Sequence, residues 1–573
     1  MRVEDSRRLT GPNLLLDGPG AMLDVRLEGA DSARADSAWR AALAPLLEGV
    51  GWSGAPVASR SYPHGLLLAF GAPADVLYAA TNVNEAAWAA AAASLDGAAP
   101  PDREEALRSL RESVAEERKP WLLALAAEAL RRGATLLADD KRVSVGLGSG
   151  SVAWPAEESE RVVPRIDWSV IHDVPTLLVT GTNGKSTTVR LLGAMVAEAG
   201  RTAGVTSTDG VTVGDDLVAE GDYSGPNGAR TVLRDRRVEV GVLEVARGGI
   251  LRRGLPLPSV SGAIVTNVAN DHLGEFGIED VDALADAKLV VAKAVGPEGR
   301  VVLNADDPLL LERGARLGRP VTWFTLDAAH PFVARHLAAG GDGCLLEGDT
   351  LVFARGGART PLARVGEIPV AFGGAARHNV ANALAAIGGA MTLGLPTDAI
   401  TRALTTFRSD PDRNPGRANV WNLGGVTAIV DFAHNPHGVE ALARMTAALP
   451  ASRRALVIGQ AGDRDDASIR ELAGAAWAMR PDRIFVKELE DYLRGRERGA
   501  VPEILEHEFR RLGAAAASLS RHDGELAAIH EALAWARAGD LVLLTTHERR
   551  REVILLLDTL ATRGWKPGDP VPR

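Results

Sequence analysis

The residues best equipped for chemistry stand together at positions 181–187: Gly181, Thr182, Asn183, Gly184, Lys185, Ser186 and Thr187. Two glycines, a lysine and adjacent hydroxyls are what a polyphosphate needs. Backbone N–H groups of such a loop and the positive end of a following helix face the anion. The Lys185 ammonium reaches the β- and γ-phosphates, and the Ser186 hydroxyl can ligate Mg²⁺. Val179 stands where the general Walker pattern has its first glycine, so the run is the compact form TGTNGKST. A Gly/Thr turn with a solvated lysine would show the same letters. Placement decides for nucleotide binding: the run lies between an apolar strand-like segment, 176–180, and helical text over 186–199 with Val189, Leu192 and Val196 on one face.

Three more polar groups close apolar runs. Glu244 ends 238–244 and is followed by Gly248-Gly249. A carboxylate there can complete a Mg²⁺ shell begun by Ser186, because Mg²⁺ takes oxygen ligands and only one or two from protein; a strand-end cap is the plainer alternative. Asn267, Asp271 and His272 follow the apolar run 262–266, and an imidazole beside a carboxylate can ligate a metal or shuttle protons. Asn304, in Asn304-Ala305-Asp306-Asp307, could read an adenine edge, though a polar turn would look the same.

Elements must bring these groups together. From about 166 to 409 strand-like and helical segments alternate, which predicts a mostly parallel sheet with helices on both faces and ligands beyond the carboxyl ends of its strands. From 410 to 573 a second α/β region, Rossmann-like, has strands over 426–430, 455–459, 483–487 and 541–545 and helical text over 526–537. Asp431 ends the first of these strands, where a carboxylate can take ribose hydroxyls. Residues 1–165 read as a small α+β domain, with strands near 21–27 and 65–71 and helical text over 84–93 and 102–132. The Gly/Ser run 146–151 reads as a flexible turn, and 154–173 as a linker.

Composition excludes several classes. At 573 residues the chain is too long for one core. A net charge of −10 argues against a nucleic-acid protein. Basic clusters at Arg247/Arg252/Arg253, Arg494/Arg496/Arg498 and Arg549-Arg550-Arg551 read as solvated faces before anionic-substrate sites. One cysteine, Cys344, excludes an intrachain disulfide framework, and no apolar run is long enough to span a membrane, so a reducing cytoplasmic setting is expected.

These motifs, with Arg377-His378-Asn379-Val380-Ala381-Asn382, Asn414-Pro415-Gly416-Arg417, Asp431-Phe432-Ala433-His434-Asn435-Pro436 and Gly462-Asp463-Arg464-Asp465, resemble in order those of the Mur ligases, ATP-dependent amide ligases of peptidoglycan synthesis and their relatives. The resemblance covers about residues 174–560. Glu244-Val245-Ala246-Arg247-Gly248-Gly249-Ile250-Leu251-Arg252, Asp271-His272-Leu273-Gly274, Arg494-Gly495-Arg496 and the opening Leu9-Thr10-Gly11-Pro12-Asn13 are similar to the cyanophycin synthetase subgroup, which joins arginine to a poly-aspartate backbone. That subgroup carries an ATP-grasp domain for which the interval 150–174 has no room, so polymer synthesis by this chain alone is not expected.

The resemblance implies a three-domain fold and an acyl-phosphate mechanism using ATP and Mg²⁺. Lys185 would hold the transferring phosphoryl group, Ser186 and Glu244 a first Mg²⁺, and His272 a second, completed by Lys288 as a carbamate. Arg417 and Asp431 would contact the nucleotide, and His434 would lie near the reacting groups. The substrate would be an amino acid or acidic peptide. A peptidoglycan- or polyglutamate-type ligase, and a non-catalytic nucleotide-binding partner of a separate ATP-grasp enzyme, remain as rivals, and a homo-oligomer stays open.

Overall fold

The computed structural model of the protein describes residues 1–27, 29 and 31–572. Strand Thr176–Thr180 is buried along its whole length, as its run of Leu and Val requires, and it lies near the middle of an 11-stranded sheet. Six parallel pairings link Ala203–Ser207, Val240–Glu244, Thr176–Thr180, Val260–Val265, Val295–Asn304, Val321–Thr325 and Asp342–Glu347 in that spatial order. Antiparallel strands close both edges. The chain leaves Thr176–Thr180 to one side, returns, and then continues on the other side. That switch opens a crevice at the carboxyl ends. Helices Lys185–Glu198 and Arg377–Thr392 pack into one core on one face, with Val189, Leu192 and Val196 at 0% exposure.

A second, six-stranded sheet runs Asn419–Leu423, Val426–Asp431, Leu541–Thr545, Arg454–Ile458, Arg483–Lys487 and Leu519–His522, parallel except for the first pair. Both sheets follow from the alternation of buried β-rich runs with amphipathic helices, and the molecule is a mixed α/β protein with large, mostly parallel sheets. No helix among the described residues is long and apolar enough to cross a membrane.

Near the amino terminus, Arg2–Leu9, Gly20–Arg26, Gly65–Gly71 and Val57–Tyr62 form a four-stranded antiparallel sheet covered by helices Ser32–Gly49 and Leu77–Leu95. The helical text at 102–132 is two helices, Arg103–Glu117 and Pro120–Arg131, because Pro120 cannot continue a helix but suits a first turn. Residues 146–173 depart from the flexible turn and linker expected of them. Trp154 belongs to strand Val152–Pro155 of a small three-stranded sheet and is buried. The 146–151 turn is crowded: a Cβ on Gly150 would lie 2.2 Å from the His172 carbonyl oxygen, and Ser149 N–H donates to the Val238 carbonyl at 2.7 Å. Gly and Ser here serve close approach of backbones, a use that composition alone does not distinguish from flexibility.

Candidate functional site

Register builds the site. Glu244 pairs with Val179 and Val265 with Thr180, so three strand ends deliver the phosphate loop, Glu244 and the Thr266-Asn267 turn side by side. The loop is held from several directions. Gly184 is left-handed (φ +87°) and a Cβ there would meet Asn382 Oδ1 at 2.1 Å. Asn267 Oδ1 accepts from Asn183 N–H at 2.9 Å, and its Nδ2 donates to the Asn183 carbonyl at 3.0 Å. Helix Lys185–Glu198 starts directly behind the loop, with its dipole toward the crevice. Lys185 Nζ donates to the carbonyls of Gly181 and Thr182, each at 3.0 Å.

Ser186 Oγ donates to Glu244 Oε2 at 2.9 Å. Glu244 is 1% exposed, its other oxygen Oε1 is buried without a hydrogen-bond partner, and burial raises its pKa although Lys185 nearby opposes this. An orphaned, buried carboxylate oxygen next to a serine hydroxyl in a phosphate loop fits a Mg²⁺ ion, which takes hard oxygen donors.

The second sheet closes over this crevice. Asn183 and Asn435 exchange two amide hydrogen bonds, 3.0 and 3.1 Å, across the interface. Arg417 Nη2 donates to Ser186 Oγ and Thr208 Oγ1, both at 3.3 Å, and its guanidinium lies 5.0 Å from the Phe432 ring centroid. Between the two sheets is a cavity of about 960 Å³, lined among others by Lys185, Glu244, Asn267, His378, Arg417 and His434.

Asp271, His272 and His434 converge, their ligand atoms all within 4.8 Å of one another. Asp271 Oδ1 is 3.8 Å from His272 Nε2, and its Oδ2 is 3.9 Å from His434 Nε2. Burial lowers both histidine pKa values, His272 to about 4, so both rings are neutral at neutral pH. For Asp271 burial works upward, yet His434, His272 and Arg464 together hold it below the usual carboxylate range. One carboxylate and two neutral imidazoles form a donor set for a divalent cation. Arg464 Nη2 donates to His272 Nε2 at 2.9 Å and to Asp271 Oδ1 at 3.3 Å. Lys288, on helix Val281–Leu289, is 4% exposed, with Lys185, Asp271 and Arg247 acting on its charge.

The Mur ligase middle domain matches residues 179–390, and the Mur ligase glutamate ligase domain matches residues 416–547. This chain belongs to the Mur ligase family. The cyanophycin synthetase of Nostoc sp. is 39% identical over 383 residues, which are 67% of this chain and 42% of that protein. The match therefore spans less than half the length of that relative. The UDP-N-acetylmuramoyl-L-alanyl-D-glutamate--2,6-diaminopimelate ligase of Geobacter metallireducens is 28% identical over 348 residues, covering 55% of this chain and 64% of that one. Among solved structures, E. coli FolC in complex with ADP shares the fold at a TM-score of 0.51 and 20% identity, covering 67% of this chain and 89% of that one.

Two residues named from the sequence have backbone partners in this structure. Asn304 Nδ2 donates to the Thr266 carbonyl at 3.0 Å and its Oδ1 accepts from Asp306 N–H at 3.0 Å, which is the polar-turn alternative. It still lines the cavity. Asp431 accepts from Ala418 N–H and Ala433 N–H, both at 2.7 Å, so its carboxylate shapes the Arg417 and His434 segments. Thr182 Oγ1 donates to the Ala269 carbonyl at 3.2 Å, and Thr187 Oγ1 accepts from Asn414 Nδ2 at 3.5 Å. Asn382, Asn435 and Arg464 lie inside quoted motifs, but their contacts span the chain and no local spacing announces them.

Proposed function

We propose that this chain is an ATP- and Mg²⁺-dependent, ADP-forming ligase that activates a carboxylate as an acyl phosphate and joins it to an amino-acid amine, on a cyanophycin-like substrate. The observation that carries this reading is convergence on one cavity: the phosphate loop and Glu244 from the first sheet meet Arg417 and His434 from the second, and His434 in turn adjoins Asp271 and His272. The similarity to cyanophycin synthetases supports the substrate class.

In this reading a carboxylate oxygen attacks the γ-phosphorus, the bond to the bridging oxygen breaks, and ADP leaves. The amine then attacks the acyl carbon, phosphate departs, and the nitrogen loses a proton. Lys185 swings from its two carbonyls onto the phosphoryl group, and Arg417, already at Ser186 Oγ, balances charge from the opposite side. Ser186 and Glu244 would hold one Mg²⁺, and Asp271, His272 and His434, with Lys288 as a carbamate, a second. Bound Mg²⁺ neutralises phosphate charge and orients the phosphates for in-line transfer. The Asn183–Asn435 contact keeps the two sheets closed, which shields an acyl phosphate from water.

The test is incubation with ATP, Mg²⁺ and pairs drawn from aspartate, glutamate, arginine and short β-linked aspartyl peptides, following phosphate release and product mass. A condensation product with stoichiometric phosphate is expected, and Lys185→Ala should lower the rate at least about 100-fold with the fold intact. ATP binding without turnover of any pair would sink the ligase reading in favour of a nucleotide-binding partner of a separate ATP-grasp enzyme.

A further inference from the structure

Residues 271–278 carry Asp271 and His272 but adopt a conformation that their own sequence disfavours. His272 and Phe276 have positive φ, 53° and 56°. Side chains adopt this region only where the surroundings over-determine it. Inside the loop, Gly274 N–H donates to the Ile278 carbonyl at 2.8 Å. Arg247, at the start of helix Arg247–Arg253, holds the His272 carbonyl and the Glu275 carboxylate.

The remaining support comes from the amino-terminal sheet. Arg7, 3% exposed, is fixed by Asp5 at 2.6 Å with Asp24 at 4.0 Å, and its guanidinium lies 5.0 Å from the centroid of the Phe276 ring. Arg252 approaches the same ring at 5.9 Å. Tyr62 and Leu67 press on the next residue, since a Cβ on Gly277 would come within 3.0 and 3.2 Å of them. Leu14 packs in the small core shared by Leu273, Phe276 and Ile278. A backbone seam completes the dock: Thr10 N–H donates to the Arg253 carbonyl and Leu255 N–H to the Pro12 carbonyl, both at 2.7 Å. The seam grips the far end of the helix whose first residue holds His272.

We propose that the amino-terminal sheet is a buttress for the 271–278 loop, with Arg7 and Phe276 as positioning residues that set Asp271 and His272 against His434. The catalytic consequence rests on the proposed role of Asp271 and His272; the mechanical one does not. In the full chain, Phe276→Leu removes the ring but keeps an apolar side chain, and Phe276→Tyr keeps the ring. Amide exchange over 271–278 should quicken about tenfold in Phe276→Leu, between the sizes of an exposed and a desolvated cation–π contact, with exchange over 181–187 unchanged. Turnover should fall by a similar factor at constant KM for ATP, and Phe276→Tyr should restore both. Arg7→Lys, which retains the charge beside Asp24, should reproduce the Phe276→Leu pattern. Unaltered loop exchange in Phe276→Leu, or faster exchange with full turnover, overturns the proposal. Should the wild-type chain turn over no substrate pair, the functional reading fails, and the exchange comparison alone still decides the buttress.

Discussion

Burial depresses the Lys288 ammonium to about 7, with the Lys185 charge adding to the effect and Asp271 opposing it. An amine must be neutral to add CO2, so Lys288 is suited to carbamate formation at neutral pH, as an ordinary exposed lysine is not. The sign follows: above about pH 7 the amine is mostly neutral, below it mostly protonated. Turnover should therefore fall on the acid side of pH 7. After equilibration with ¹³C-bicarbonate, a carbamate carbon signal should appear by NMR and be lost in Lys288→Arg. A flat profile through pH 7 together with no such signal would remove Lys288 from the mechanism. Glu244 differs, because its buried, unpaired oxygen is one that a cation would satisfy. Glu244→Gln should raise the Mg²⁺ concentration for half-maximal rate at least about tenfold, and an unshifted Mg²⁺ titration would count against its metal role.

At the scale of elements, the phosphate loop was legible because its strand, turn and helix are consecutive. What stiffens it was not. Asn382 comes from helix Arg377–Thr392 and occupies the space that a side chain at 184 would need. Gly184→Ala should thus incur both a clash and a left-handed backbone, raising KM for ATP by about tenfold or more. Adding Asn382→Ala removes the clash alone, so recovery should be partial. Full recovery would show that φ contributes nothing, and no effect of Gly184→Ala would refute the packing argument. Residues 146–173 show the reverse case. Their Gly, Ser, Pro and charges read as linker, yet Trp154 is buried in a sheet and the glycines accommodate backbone at His172 and Val238.

Across the whole molecule, Asp209 ties the two large sheets together. Its side chain is 7% exposed and pairs with Arg190 at 2.8 Å on its own side and with Arg550 from the other. Burial raises its pKa, but Arg417, Arg190 and Arg550 prevail and hold it below the ordinary carboxylate range. A carboxylate depressed in the folded state contributes stability that is present above its unfolded pKa of about 3.8 and lost as pH falls through the folded value. Asp209→Asn should leave two arginines facing each other, open the interface and raise KM for ATP by about tenfold, with a larger radius of gyration by X-ray scattering. Unchanged scattering and KM would mean that the other contacts across the crevice, from Asn435, Arg417 and Arg464, close the sheets without Asp209.

The sequence by itself determined what depends on neighbours along the chain: the phosphate loop, the parallel α/β alternation, and the polar residues that end buried strands. Each is a short-range pattern of hydrophobicity, glycine and hydroxyls, so local physics suffices to read it. Only the tertiary structure decided which strand ends adjoin, since that follows from sheet order and register. It joined Glu244 to Ser186, and it brought His434 from the second sheet to Asp271 and His272. It also committed Asn304 and Asp431 to backbone partners and placed the amino-terminal sheet behind the His272 loop. These outcomes balance burial, hydrogen bonding and charge among residues far apart in the chain, and no spacing in the sequence records that balance.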